Sequence, residues 1–198
     1  NESPGQTEYP YAISYDNGYI YLVFYAYIHE DYHDYNLYQD GSGDYLGKFD
    51  LDGDIEWIKR VDNCEGQCLN NYDFFHMDID NDGNIILLGS DNNQWYGNEG
   101  QDNTSRGTII SKYSSDGNLQ YVANHHMGNE YVNNQDWDDC SPADEYPRDF
   151  TIDNNNNLFF TGKSSCGQTG AFPYIGKVSL DFGNVLWVKS LFDEAIPM

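Results

Sequence analysis

The chain repeats one phrase three times, and that repetition constrains its fold more than any single motif does. Half of the phrase is an apolar run behind an Asn/Asp/Gly turn. It reads Tyr15-Asp16-Asn17-Gly18-Tyr19-Ile20-Tyr21-Leu22, then Asp80-Asn81-Asp82-Gly83-Asn84-Ile85-Ile86-Leu87, then Asp153-Asn154-Asn155-Asn156-Asn157-Leu158-Phe159-Phe160. The other half is a pair of apolar segments broken by a glycine turn: Tyr45 to Trp57, Ile109 to Tyr121 and Tyr174 to Trp187. The turn glycines Gly53, Gly117 and Gly183 stand 64 and 66 residues apart (117−53, 183−117). Self-similarity at a near-constant period means stacked copies of one supersecondary unit.

The punctuation inside each copy predicts four strands. In the first, Pro10 to Tyr15 leads into Asn17-Gly18, Tyr19 to Tyr27 returns, Asp44 to Asp50 follows a loop, and Ile55 to Val61 follows Asp52-Gly53. Asn-Gly and Asp-Gly between apolar runs are strong hairpin signals, because such turns demand positive φ. Tyr19 to Ile28 is apolar or aromatic throughout, as expected of a sheet covered on both faces. Four antiparallel strands flanked by sister sheets is the blade of a β-propeller. The predicted fold is therefore all-β, a single domain of three four-stranded blade-like repeats at about 9–63, 72–125 and 146–192. No stretch carries a capped 3.6-residue period.

The phrase Tyr174-Ile175-Gly176-Lys177-Val178-Ser179-Leu180-Asp181-Phe182-Gly183-Asn184-Val185-Leu186-Trp187, with its turn-strand phrase upstream, resembles the bacterial β-propeller repeat family called SBBP. The resemblance covers most of the chain and implies an extracellular propeller of the kind found inside adhesive or structural surface proteins. The units here are longer than is typical of that family, and three blades fall short of the four to eight that usually close a ring. Self-association is therefore expected, either as a dimer of six blades or, if the contact does not close, as a fibre. A fragment of a longer array and a sandwich-like packing of the three sheets are the alternatives.

Composition narrows the partners. The formal charge of −24, from 33 acidic and 9 basic side chains, excludes nucleic acid as a partner and opposes anionic membranes. No apolar run approaches the ~18 residues that insertion in a bilayer needs. The aromatic content of 16% argues for a folded chain. Four cysteines suit an oxidising compartment. Cys64 and Cys68 bracket a short loop, and Cys140 and Cys166 fall in loops of neighbouring units, so two disulfides are expected; a four-thiolate zinc site would need a closer second pair than 26 residues (166−140). The first residue, Asn1, is consistent with a removed signal peptide, and Asn1 and Asn103 head glycosylation sequons, Asn103 within a long loop. The expected location is extracellular.

In a propeller register every tight turn falls on one face, and all the long segments fall on the other: 29–43, 63–73, 91–107, 124–147 and 164–172. Long insertions on one face of a repeat protein mark its binding side. Three motifs in the chain carry chemistry. His29-Glu30-Asp31-Tyr32-His33 matches the H-E-x-x-H of zinc proteases, but it sits in a loop rather than on a helix and lacks a third ligand, so an exposed polar loop is favoured over a zinc protease. Asp78, Asp80 and Asp82 place carboxylates at alternate positions before Gly83, as in a calcium loop; the later Glu is missing, and a hairpin turn explains the same residues. The Asp50, Asp52 and Asp54 series has the same ambiguity. Calcium is thus the one candidate cofactor, and none is required.

The third motif is the cluster Asp136, Trp137 and Asp138, in the longest loop near His125 and His126. With Trp95 and Tyr96 it would make an aromatic and carboxylate surface of the kind that stacks on sugar rings and takes their hydroxyls. The alternative is a solvated loop with Trp137 tucked onto the core. No nucleophile elbow, phosphate loop or dinucleotide fingerprint occurs. The sequence-based expectation is a non-catalytic, secreted assembly or adhesion module, with a glycan-binding propeller as the alternative. A glycan-active hydrolase comes third.

Overall fold

The computed structural model describes residues 6–28, 43–61, 72–91, 107–125, 144–166, 170–181 and 183–190. They form three four-stranded antiparallel sheets, each an up-and-down meander. The first holds β1 (Gln6–Asp16), β2 (Tyr19–Ile28), β3 (Gly43–Phe49) and β4 (Ile55–Arg60). The second holds β5 (Tyr72–Ile79), β6 (Ile85–Asp91), β7 (Gly107–Tyr113) and β8 (Leu119–His125). The third holds β9 (Asp144–Ile152), β10 (Asn157–Cys166), β11 (Gly170–Ser179) and β12 (Asn184–Ser190). The predicted repeat thus appears as one sheet per copy, and no helix among the described residues is long and apolar enough to cross a membrane.

Alternation along the strands explains the stacking. Odd-numbered residues of β2, Tyr21 and Val23, meet Ile85, Leu87 and Ile109 in a core between the first and second sheets. Ile86, Leu88 and Ile110, on the opposite face of the second sheet, meet Leu158, Phe160 and Tyr174 of the third. The middle sheet is therefore apolar on both faces, which is why β6 opens with the unbroken run Ile85 to Leu88. At about 25 cal/mol per Å² of apolar area, these two cores supply the main stabilisation of the stack. The first strands are neighbours, with β5 in contact with both β1 and β9.

The hairpins differ from the expected two-residue turns at most positions. Among the described residues only Asn17-Gly18 has two consecutive residues at positive φ, 48° and 86°. The turn at Gly53 spans four residues: the Gly53 amide donates to the Asp50 carbonyl, and the Asp50 amide donates to that of Asp54. A tight turn ended by one left-handed residue recurs at Gly83, Gly117 and Asn156. Its first side chain supports it. Asp50 Oδ1 accepts the amides of Asp52 and Asp54, Asp80 Oδ1 those of Asp82 and Asn84, and Asp153 Oδ1 those of Asn155 and Asn157. The aspartate spacing that resembled a calcium loop is accounted for by this turn.

The first strands, inner because the three sheets meet along them, each carry a β-bulge at the same place. The register shifts between Pro10 and Ala12 in β1, between Phe74 and His76 in β5, and between Pro147 and Asp149 in β9.

Candidate functional site

Strand direction sorts the connections. The tight turns join one set of strand ends, and the connections 29–42, 62–71, 92–106, 126–143 and 167–169 all start and finish at the opposite set. The elaborated end expected from the repeat register is therefore present in the strand topology. Trp95, Tyr96, Asp136, Trp137, Asp138, Cys64, Cys68, Cys140, Asn103 and the His29–His33 pentapeptide lie outside the described residues. Cys166 ends β10 and His125 ends β8, but their side chains also lie outside that description.

The described residues contribute two polar groups, one midway along the first strands and one toward that end. The first lies on the inner strands beside the bulges. His76 Nδ1 is 3.5 Å from Asp149 Oδ1, a contact from β5 to β9 with both side chains accessible to solvent. Arg148, the bulged residue of β9, is exposed next to it. On β1 the bulged residue is Tyr11, 37% exposed, and Tyr9 is 56% exposed with its ring 6.5 Å from that of Tyr25. Bulges re-aim side chains and are common beside binding sites. Here they leave an imidazole, a carboxylate, a guanidinium and tyrosine rings accessible on three adjacent strands.

The second group is buried between the second and third sheets. Glu145 Oε2 accepts the Thr108 amide at 3.2 Å and the Thr108 hydroxyl at 2.8 Å, and that hydroxyl lies 2.9 Å from the Tyr174 phenol oxygen. Burial raises the pKa of the Tyr174 phenol, and the Glu145 charge raises it further, while the Thr108 hydrogen bond opposes both. All three side chains are inaccessible to solvent, so this cluster fastens β9 and β11 to β7.

The three aspartates singled out for calcium turn to three different partners. Asp78 Oδ1 accepts the Ile79 amide, and Asp82 Oδ2 accepts Asn156 Nδ2 at 2.7 Å. Asp80 takes Asn84 Nδ2 and, at 2.8 Å, Lys112 Nζ. Burial would raise its pKa, but the hydrogen bonds from Lys112 and Asn84 and the Lys112 charge outweigh that and lower it. Among the described residues no group of three or more His, Cys, Asp or Glu is placed to share a metal ion.

The His76–Asp149 contact was not anticipated from sequence. Aligning the copies on Asp16, Asp80 and Asp153 puts Ala12, His76 and Asp149 at one position, four residues before the turn. That alignment was the available signal.

No protein-family model matches the chain, and no curated protein matches it. Solved structures do. An endo-arabinase from Bacteroides thetaiotaomicron VPI-5482 is 11% identical, with 88% of this chain aligned to 60% of that one at a TM-score of 0.46. A "putative hydrolase" from Bacteroides ovatus ATCC 8483 is 13% identical, with 95% of this chain aligned to 46% of that one at a TM-score of 0.36. The chain therefore spans about half to three-fifths of the length of these structures. The expectation that the chain is not an enzyme is corrected by these neighbours, an endo-arabinase and a "putative hydrolase", and does not stand. At TM-scores below 0.5 they assign no reaction to it.

Proposed function

We propose that this chain recognises carbohydrate, through the end of the sheets from which the long connections emerge. The observation that carries this reading is the set of accessible groups beside the bulges of the first strands: tyrosine rings at Tyr9 and Tyr11, and, midway along the strands that lead to that end, the polar pair His76 and Asp149. A tyrosine face stacks on the C–H face of a pyranose or furanose ring, while carboxylate and imidazole groups take the hydroxyls. Trp95, Tyr96, Asp136, Trp137 and Asp138 belong to connections that leave from this same end and would extend the surface. With a formal charge of −24 the chain repels polyanions, so neutral polysaccharides are the favoured class.

The test is affinity electrophoresis through gels containing neutral or uronic-acid polysaccharides, with reducing-end release measured on the same samples. Retardation by a neutral glycan that is lost in a Tyr9→Ala, Trp137→Ala variant supports the proposal. Equal mobility in every gel refutes it.

A further inference from the structure

One contact recurs between successive sheets, and its two halves at the outer sheets have no partner among the described residues. Gly117, at φ 72° in the second sheet's β7–β8 turn, is covered by Trp57 of β4; a Cβ there would lie 2.7 Å from the indole. Gly183, at φ 66° in the third sheet, is covered in the same way by Tyr121 of β8, a Cβ falling 2.8 Å from that ring. The next aromatic in the series is Trp187 of β12, which meets no following sheet among the described residues. The corresponding turn glycine of the first sheet, Gly53 at φ 87°, has open space where its Cβ would be.

A lysine accompanies the ring. Lys59, two residues after Trp57, donates from Nζ to the Asp116 carbonyl at 2.6 Å and to Asn118 Oδ1 at 2.8 Å, on the turn that Trp57 covers. Lys189 stands two residues after Trp187. Lys59 Nζ lies 5.6 Å from the Trp57 ring centre and Lys189 Nζ 5.8 Å from that of Trp187, so the free pair has the arrangement of the engaged one. The acceptors have their counterparts too. Asp52 and Asp54 flank Gly53 as Asp116 and Asn118 flank Gly117, on a turn with the same backbone hydrogen bonds. An amide oxygen in the engaged contact becomes a carboxylate in the free one, so the charges are complementary.

Toward the tight turns the two outer faces match as well; farther along the first sheet's outer face Phe24, Ala26 and Tyr45 are already buried in a cluster of their own. Ile13 and Tyr15, 67% and 63% exposed on the first sheet, occupy the positions of Met77 and Ile79, which in the second sheet pack into the core shared with the first. The outer face of the third sheet has Phe159 and Thr161 where the first sheet has Tyr21 and Val23. Around them is an open hollow of about 200 Å³ lined also by Thr151 and Ile175.

We propose that the outer face of the third sheet docks on the outer face of the first sheet of a second copy of this chain, with Trp187 over Gly53 and Lys189 bound to the Asp52 carbonyl and the Asp54 carboxylate. Two such contacts related by a two-fold axis close six sheets into a ring.

Sedimentation velocity across a range of concentrations tests this, with circular dichroism to confirm that each variant is folded. The wild-type chain is expected to sediment above the 22.7 kDa of a single copy. Lys189→Glu and Asp54→Lys are each expected to weaken association by roughly tenfold or more. Combined in one chain they exchange the charges and restore it, and Trp187→Ala weakens it independently. Assembly as a dimer or a longer head-to-tail polymer supports the contact if it follows this pattern. A monomer at every concentration overturns it, because those faces would then belong to other sheets or to solvent. Association indifferent to both charge reversals overturns it equally.

Discussion

Lys112 Nζ and Asp80 Oδ2 meet 2.8 Å apart, with 7% and 0% of the two side chains accessible to solvent. The ammonium also donates to the Leu180 carbonyl of the third sheet at 3.2 Å, so one buried ion pair links a hairpin turn of the second sheet to its neighbour. Removing one member leaves the other charged and without its counter-ion in a dry site, which typically costs about 3–5 kcal/mol. Lys112→Met should therefore lower the thermal midpoint markedly, as read by circular dichroism.

The same pair sets an acid limit. The Asp80 pKa is lowered in the folded chain from its ordinary value of 3.8, so the folded state binds that proton more weakly than the unfolded state. Its stabilisation is fully present above the ordinary value and is lost as pH falls through the lower folded one. Denaturant midpoints followed down to about pH 3 should fall for the wild type and flatten in Asp80→Asn.

Tyr121 gives an alkaline counterpart. Its hydroxyl is buried without a hydrogen-bond partner among the described residues. Burial, with Asp80 and Asp181 adding to it, pushes the phenol up from 10.0 to about 12. The contribution is present below pH 10.0 and declines as pH rises toward about 12. Tyr121→Phe should remove this phenolate from the ultraviolet titration and abolish its share of the decline.

Gly162 is fixed by its surroundings. A Cβ there would come 2.6 Å from the Tyr146 carbonyl oxygen and into the Tyr174 ring. Backbone oxygen on a paired strand cannot move aside cheaply, so Gly162→Ala should destabilise by about 1–3 kcal/mol in urea denaturation.

Thr108 tests the buried cluster. Thr108→Val removes the hydroxyl that Glu145 and Tyr174 share and leaves Glu145 with one donor fewer, at a cost of about 1–3 kcal/mol. Thr108→Ser keeps the hydroxyl and should recover most of the loss.

The fold was legible because its signals are local and repeated. Gly53, Gly117 and Gly183 mark the same hairpin in each copy, and the apolar run from Ile85 to Leu88 announces a strand covered on both faces. Turn type was less legible. Asp-Gly suits both a two-residue turn and a longer one, and the choice depends on the carboxylate two or three residues upstream, as at Asp50 and Asp80. The site was less legible still. His76 and Asp149 are 73 residues apart (149−76) and meet only because β5 and β9 stack. The aromatic and acidic clusters read directly from sequence fall in the long connections, where no periodic pattern fixes position.

The repeated bulge separates two duties that share each inner strand. Before and after it, residues such as Phe74 and Met77 are committed to the cores. The residue just past the bulge is Ala12 in one copy, His76 in the next and Asp149 in the third. Methyl, imidazole and carboxylate thus stand at one geometric station on an unchanged frame. The Ala12 methyl stays part of the first core, while His76 and Asp149 are free of it, so substitution at those two stations rewrites the chemistry of the first strands one copy at a time.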